Sequence, residues 1–219
     1  PEEMAIIRAE NEGRSMIYLA IDERLAGVIC IEDPVRQEAG RVIHELRQLG
    51  VEQVVMLTGD GEAAAAKVAS ELGIDHFKAQ ILPEYKAKTV EQLKAEGHRV
   101  IMVGDGINDS PALAAADVSI AMKDASDIAQ EVADITLISG ALDELVLMRR
   151  LSQKMLAKID TQYRLIIGIN SSLLALGLFG AITPATSALL HNLSTLAISV
   201  NAMRPCLPKE TCAAEAFAV

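Results

Sequence analysis

Aromatic side chains are scarce in this sequence: Trp is absent, and Tyr and Phe number three each among 219 residues. Single-stranded nucleic acids bind proteins by stacking their bases on such rings, so the composition argues against this class of partner. The formal net charge of −10 also argues against duplex nucleic acid, because a phosphate backbone attracts a basic surface. Cysteine is limited to Cys30, Cys206 and Cys212, which form no disulfide framework and suit a reducing compartment.

Charged residues are missing from one long stretch, since residues 165–203 contain no Asp, Glu, Lys or Arg. Such a stretch does not form a water-exposed surface, and it has room for two membrane spans of about 20 residues each. We therefore predict a two-helix transmembrane hairpin, with helices over 165–182 and 187–203 and a turn at Thr183 and Pro184. The alternative is a buried helical hairpin of a soluble protein.

Positive charge is distributed unevenly around this hairpin. Arg164 precedes the first apolar run and Arg204 follows the second, whereas the turn between them carries no charge. Because positive residues are retained on the cytosolic side of membranes, both ends of the hairpin are expected in the cytosol. The interpretation is a multi-pass protein of the plasma membrane, with a cytosolic connecting helix over 141–164 and a cytosolic tail over 204–219.

The rest of the chain alternates between strand-like and helix-like segments. Short apolar runs, typical of strands, cover residues 16–21, 25–31, 53–57, 77–81, 99–103, 118–121 and 135–138. Helices are predicted between them, over 36–49, 61–72, 83–96, 110–116 and 127–132. This alternation predicts an α/β protein with a doubly wound, Rossmann-like parallel sheet across residues 15–140, in which ligands bind at the carboxyl ends of the strands.

Two of the predicted strands end in segments rich in glycine and carboxylates. They are Thr58-Gly59-Asp60 and Gly104-Asp105-Gly106-Ile107-Asn108-Asp109. Glycine lets backbone N–H groups approach a phosphate, carboxylates bind hard cations such as Mg²⁺, and a nearby lysine balances phosphoryl charge. Lys86, three residues after Pro83, is the candidate for that lysine. The alternative, ordinary turns between strands and helices, accounts for the first segment alone but poorly for both together.

These motifs resemble the haloacid-dehalogenase-type phosphoryl-transfer fold and, more narrowly, the heavy-metal-transporting P-type ATPases. That family carries Thr-Gly-Asp, Pro-x-x-Lys and Gly-Asp-Gly-x-Asn-Asp in this order. The matching segments are Thr58-Gly59-Asp60, Pro83-Glu84-Tyr85-Lys86 and residues 104–109. Further similar segments are Asp33-Pro34-Val35-Arg36, Ser110-Pro111-Ala112-Leu113, residues 116–122 and the ending Asn201-Ala202-Met203-Arg204.

The resemblance implies ATP-driven export of a heavy-metal cation through an aspartyl-phosphate, and it assigns a role to each motif residue. Those that would bind ATP or its phosphoryl group are Thr58, Gly59, Asp60 and Lys86, with Asp60 at the nucleotide side and the interdomain hinge. Asn108 would form a hydrogen bond near the phosphate. Asp105 would bind Mg²⁺, with Asp109 supporting that site.

The sequence lacks the Asp-Lys-Thr-Gly-Thr motif that supplies the family's phosphorylated Asp. In the family this motif lies on the first strand of the same domain, before the nucleotide-binding insertion, of which residues 1–14 would be a tail. Because the chain also starts at Pro1 without an initiator Met, we expect a fragment whose partners are the upstream domains of the same pump. We expect the fragment alone not to hydrolyse ATP.

Polar side chains inside the apolar runs are candidates for the path of the transported transition-metal cation. They are Asn170 in the first run and His191, Asn192 and Thr195 in the second. Nitrogen and oxygen donors suit Mn²⁺, Co²⁺ or Zn²⁺ better than Cu⁺, which prefers sulfur. The alternative is that these residues hold the helices together by hydrogen bonds. Cys206 and Cys212 are likewise either a metal-capture pair or unremarkable thiols.

Two other functions stay open from the sequence. A soluble haloacid-dehalogenase-like phosphatase shares the spacing of the carboxylates, but it would carry its own nucleophilic Asp near the N-terminus and no membrane hairpin. A non-catalytic module that binds Mg²⁺ or phosphate, or that regulates a partner, agrees with the missing nucleophile.

Overall fold

A computed structural model of the chain describes residues 15–21, 24–31 and 34–206. The predicted tail of a nucleotide-binding domain at 1–14 lies outside the described residues, as do Asp33, Cys212 and most of the predicted cytosolic tail. The chain divides into two compact units, Pro1–Val146 and Leu147–Val219.

The first unit contains the alternation of strands and helices that the sequence predicts. Its strands are β1 (Ser15–Ile21), β2 (Arg24–Ile31), β3 (Val55–Leu57), β4 (His76–Lys78), β5 (Ile101–Gly104), β6 (Val118–Ala121) and β7 (Ile135–Thr136). Its helices are α1 (Ala39–Gln48), α2 (Glu62–Leu72), α3 (Pro83–Ala95), α4 (Ser110–Ala115) and α5 (Asp127–Val132), with a 3₁₀ helix at Ile107–Asp109.

The strands pair in three groups. β1 and β2 form an antiparallel hairpin, β3 pairs with β4 in parallel, and β5, β6 and β7 form a parallel ladder in that order. Parallel pairs connected through helices confirm the predicted α/β class. Over the described residues the parallel strands do not form the single sheet that was predicted. They form two groups, because β3 pairs only with β4 and β5 pairs only with β6. Apolar runs predict strands, but they do not predict which strands are neighbours.

The core of the first unit lies where α4 and α5 pack against the β5–β6–β7 ladder. Its buried cluster consists of Leu113, Ala121, Ala125 and Ala129. Alanine side chains allow the helices to approach the strands closely, and burial of the Leu113 side chain contributes about 2 kcal/mol. This packing fixes the carboxyl end of β5, where the motif at residues 104–109 begins.

Helix ends in the first unit follow local sequence signals. Pro83 occupies the first turn of α3, where a missing N–H costs no hydrogen bond. Ser126 caps α5, since its Oγ accepts a hydrogen bond from the Ala129 N–H at 3.3 Å. Gly73 ends α2 with a φ of 64°, a left-handed conformation that suits glycine.

Two long helices make up the second unit: α6 (Asp143–Leu178), whose first residues belong to the first unit, and α7 (Pro184–Ala202). Thr183 caps α7, because its Oγ1 accepts a hydrogen bond from the Thr186 N–H at 3.2 Å. Pro184 follows at the first helical position.

The length and hydropathy of the helices bear on the predicted transmembrane hairpin. In the part of the chain that the structure describes, no helix is both long enough and apolar enough to cross a membrane. The transmembrane helices predicted over 165–182 and 187–203 are therefore not confirmed.

Candidate active site

Thr58, Gly59 and Asp60 form a tight turn at the carboxyl end of β3. Thr58 Oγ1 donates a hydrogen bond to Asp60 Oδ2 at 2.7 Å and accepts one from the Asp60 N–H at 3.1 Å. This pair of bonds holds the hydroxyl and the carboxylate side by side at the end of the strand.

The same turn is fixed to the segment that follows β4. The Thr58 N–H donates to Lys78 O at 3.0 Å, and the Ile81 N–H donates to Thr58 O at 3.1 Å. The Gln80 N–H donates to Asp60 O at 2.9 Å, with Gln80 at a φ of 52°, a region that residues other than glycine adopt infrequently. The backbone of the turn is therefore held by two strands and not by β3 alone.

Lys86 and Asp109 make the shortest contact between two separate motifs. Lys86 Nζ donates to Asp109 Oδ1 at 2.7 Å, and the two side chains are only 14% and 13% exposed. Lys86 lies near the start of α3, and Asp109 ends the 3₁₀ helix that follows β5. Because so little water reaches this ion pair, its attraction is screened less than that of a surface pair.

Gly104 provides the space that Asp109 occupies. A Cβ atom on Gly104 would lie 2.8 Å from Asp109 Cβ and 3.0 Å from Asp109 Oδ2. Such distances are shorter than van der Waals contact, so no side chain fits at position 104 while Asp109 keeps its place. Sequence reasoning assigned the motif glycines to phosphate approach and missed this packing role, although the adjacency of Gly104 to the carboxylates was a signal for it.

Asp105 and Asn108 are exposed at the end of β5. The backbone carbonyl of Asp105 accepts a hydrogen bond from the Ser126 N–H at 3.0 Å, so its backbone is anchored while its carboxylate stays accessible. The sequence analysis did not identify Ser126 as part of this region. The signal that could have found it is its position as the N-cap of the helix that follows β6.

The residues present fit a Mg²⁺ ion that is shared with a phosphate. Mg²⁺ is usually bound by one or two carboxylates together with phosphate oxygens and water. Asp105 offers an exposed carboxylate, whereas Asp109 is buried and contacts Lys86. Among the described residues, no group of three or more His, Cys, Asp and Glu side chains is placed to hold a metal ion. A Mg²⁺ ion at Asp105 would therefore take its remaining ligands from phosphate and water.

Four of the predicted residues of the first unit form two local pairs. Thr58 bonds to Asp60 and Lys86 bonds to Asp109. Across the described ranges, no hydrogen bond joins one pair to the other. The structure therefore joins these four residues in two separate pairs, one in the turn after β3 and one between α3 and the 3₁₀ helix that follows β5.

In the second unit, two of the predicted polar residues contact each other across α6 and α7. Asn170 Oδ1 lies 2.9 Å from His191 Nδ1. Thr195 Oγ1 donates to His191 O at 3.0 Å, so its hydrogen is bonded within α7. Asn192 is exposed, and neither it nor Thr195 takes part in the contact between the helices. Cys206 is half-buried, and whether it forms a metal-capture pair with Cys212 is not tested, because Cys212 lies outside the described residues.

Two carboxylates outside the predicted site have lowered pKa values. The Val100 N–H donates to Asp117 Oδ2 at 2.9 Å and lowers the pKa of that carboxyl below its usual range, with a further contribution from Arg99. The Ser119 N–H and hydroxyl donate to Asp134 Oδ2 at 2.9 and 2.8 Å and lower the pKa of Asp134 in the same way. Hydrogen bonds to a carboxylate stabilise its charged form, so both groups favour the fold while ionised.

The sequence profile of the haloacid dehalogenase-like hydrolases matches residues 3–117, which is more than half of the chain. The chain belongs to this family. The matched range includes both strand-end motifs and Lys86 of this haloacid dehalogenase-like protein.

Two curated relatives extend the likeness beyond that range. The chain is 42% identical over 198 residues to a manganese-exporting P-type ATPase of Mycobacterium leprae (strain TN), which covers 90% of this chain and 27% of the relative. It is 43% identical over 198 residues to a zinc-exporting P-type ATPase of Mycobacterium marinum (strain ATCC BAA-535 / M), with the same shares. The predicted resemblance to heavy-metal-transporting P-type ATPases is confirmed.

A solved structure gives the same result in three dimensions. The crystal structure of a zinc-transporting PIB-type ATPase in the E2.Pi state matches with a TM-score of 0.80 at 36% identity, covering 92% of this chain and 33% of that one. The haloacid dehalogenase-like chain thus spans about a third or less of the length of the proteins it matches.

Proposed function

We propose that the chain is part of an ATP-driven pump that exports a heavy-metal cation through an aspartyl-phosphate intermediate. The observation that carries the proposal is the extent of the likeness to metal-exporting P-type ATPases, which covers 90% of the chain and continues past residue 117, where the family profile ends. A soluble phosphatase of the same family accounts for the strand-end motifs but not for a likeness that continues into α6 and α7.

In this proposal, Lys86 supplies positive charge at the phosphate. Its ammonium is held by Asp109 in a mostly buried pair, so it is positioned before ATP arrives. Phosphoryl transfer depends on positioning and on charge neutralisation, and a fixed ammonium provides both. Thr58 donates to another phosphoryl oxygen when its hydroxyl leaves Asp60, and Asp60 then faces the nucleotide side.

Asp105 holds Mg²⁺ in the proposed site, with Asp109 in support and Asn108 bonding near the phosphate. The support for this division of roles is that Asp105 is exposed whereas Asp109 is buried against Lys86. The bound Mg²⁺ would neutralise phosphate charge during transfer.

The upstream part of the same pump is the proposed partner of the first unit. Ile101 and Val103 of β5 are apolar, yet they are 46% and 36% exposed. Strands with one unpaired edge are sites for addition of a further strand. We propose that an upstream segment carrying the phosphorylated Asp pairs there, which agrees with the absence of the Asp-Lys-Thr-Gly-Thr motif from these 219 residues.

The helices α6 and α7 are the proposed membrane part of the pump, with the first unit in the cytosol. Large apolar side chains on these helices are exposed, among them Leu174, Leu178, Leu193 and Leu196. Contiguous exposed apolar surface is stabilised by contact with lipid or with other helices and not with water. The proposed metal path uses Asn170, His191, Asn192 and Thr195. Extraction of the native protein from membranes by alkaline carbonate would contradict this placement.

The proposal is tested by metal-stimulated formation of a phosphoenzyme in the full-length protein. We expect Lys86→Ala and Asp105→Asn to abolish it, because each removes charge neutralisation at the phosphate. Lys88→Ala is the matched control: Lys88 lies on the same helix, with its Nζ 4.9 Å from the centre of the Tyr85 ring. Equal phosphorylation of the Lys86→Ala and Lys88→Ala proteins would reject the assigned site.

A further inference from the structure

The contact between Asn170 and His191 defines which imidazole nitrogen is protonated. The two atoms are Asn170 Oδ1 and His191 Nδ1, at 2.9 Å. An amide oxygen only accepts hydrogen bonds, so Nδ1 carries the hydrogen and donates it. In the neutral imidazole, the free lone pair is then on Nε2.

A second contact between α6 and α7 agrees with the alignment that the Asn170–His191 contact requires. Lys158 Nζ donates to Ala202 O at 2.9 Å and to Arg204 O at 2.5 Å. Along α6, Lys158 and Asn170 are about 18 Å apart, and along α7, His191 and Ala202 are about 16 Å apart. Because these spacings agree for antiparallel helices, the Asn170–His191 contact belongs to a consistent pairing of α6 with α7.

Two hydroxyl groups close to His191 form hydrogen bonds within α7. Ser194 Oγ and Thr195 Oγ1 donate to the His191 carbonyl at 2.8 and 3.0 Å. Imidazole nitrogen is a better ligand than a hydroxyl for borderline divalent cations. His191 Nε2 is therefore the strongest candidate ligand atom among these three residues.

We infer that Asn170 is a positioning residue for His191 and not a ligand of the transported cation. By accepting the Nδ1 hydrogen, it fixes the tautomer and the ring orientation and leaves Nε2 available to the metal. Partners of this kind raise the basicity of a metal-binding histidine and orient it. The inference rests on the proposed transport function and changes the predicted role of Asn170 from ligand to support.

The tautomer is measured on the purified 219-residue chain in detergent, with ¹⁵N-labelled histidine and long-range ¹H–¹⁵N NMR spectra. The chain has four histidines, and the His191→Ala spectrum identifies the signal of His191. We expect the Nδ1–H tautomer in the wild type and in Asn170→Asp, which keeps an accepting oxygen. Asn170→Ala should give a mixture of both tautomers.

Metal dependence is measured on the full-length protein as the Mn²⁺ or Zn²⁺ concentration that gives half-maximal phosphoenzyme. We expect Asn170→Ala to raise this concentration about 10-fold or more while changing the maximal level less, since positioning partners typically affect metal affinity by that factor. Asn170→Asp should restore most of the affinity. Lys158→Ala is the control, because it loosens a different contact between α6 and α7 without touching His191.

The outcomes separate this inference from the proposed function. An Nε2–H tautomer in the wild type overturns the positioning role, as does a Lys158→Ala protein whose metal dependence changes as much as that of Asn170→Ala. Unchanged metal dependence in Asn170→Ala overturns it too, while wild-type phosphorylation leaves the transport proposal standing. Absence of any metal-stimulated phosphoenzyme in the wild type rejects the transport proposal and this inference with it.

Discussion

Gly104 and Asp109 are packed so closely that a single methyl group at position 104 would lie 2.8 Å from Asp109 Cβ. Gly104→Ala should therefore displace Asp109 from Lys86, lower the free energy of unfolding by about 1–3 kcal/mol and abolish phosphoenzyme formation. Gly61→Ala is the matched control, because a Cβ there meets nothing within 4 Å and the φ of −65° suits alanine. Equal stability and phosphorylation of the two variants would contradict the close packing.

Removal of Asp109 should destabilise the isolated chain, because Lys86 would remain mostly buried without a counter-charge. We expect Asp109→Ala to lower the free energy of unfolding by about 3 kcal/mol, measured by urea denaturation. The additional change Lys86→Met should recover part of the loss, because it removes the uncompensated charge.

The control for that measurement is an exposed ion pair of the same unit. Asp75 Oδ2 lies 3.1 Å from Arg47 Nη2, and its side chain is 76% exposed. Because water screens this pair, Asp75→Ala should cost less than about 1 kcal/mol. A similar cost for the two aspartate variants would mean that burial does not strengthen the Lys86–Asp109 contact.

Stability should fall in acid partly through Asp134. Its pKa is lowered in the fold by the two hydrogen bonds from Ser119, so the unfolded chain binds a proton more readily than the folded chain. The contribution is fully present above the unfolded pKa of about 4 and is lost as the pH falls from there through the folded pKa. Thermal unfolding of the wild type and of Asp134→Asn at pH 7 and below pH 4 should show a smaller acid-induced decrease in the variant. Parallel decreases would count against this assignment.

The purified chain should release no phosphate from ATP and Mg²⁺ above the buffer rate. The physical reason is that the residues named here position and neutralise a phosphoryl group, whereas the family's acceptor Asp belongs to a motif missing from these 219 residues. A colorimetric phosphate assay measures this directly. Phosphate release that Lys86→Ala removes would show that the chain contains its own acceptor.

The strand-end motifs could be predicted from the sequence because chemistry at a parallel strand's end depends on local residues. The family followed from these motifs, and the α/β class followed from the alternation of strand-like and helix-like segments. The spacing of the motifs does not predict the contact of Lys86 with Asp109, because that contact depends on how α3 packs against the 3₁₀ helix. The unpaired edges of β3 and β5 were not predicted either, because strand neighbours are set by long-range pairing.

The second unit shows a different limit. The absence of charge over 165–203 predicts membrane helices, which the helices of the described residues do not confirm. The contact between Asn170 and His191 crosses 21 positions and depends on the register of α6 with α7, which the turn at Thr183 helps to set. Such a register is not encoded in either helix alone.

If this chain works as part of a metal pump, as proposed, the native protein is longer than the chain and is phosphorylated by ATP. An antibody against helix α1 would be used to isolate the protein from source membranes incubated with [γ-³²P]ATP, with and without Mn²⁺ or Zn²⁺. We predict one band several times longer than 219 residues, with acid-stable, hydroxylamine-sensitive label that increases with the metal. A band of the chain's own length that carries no label with either metal would reject the proposed function.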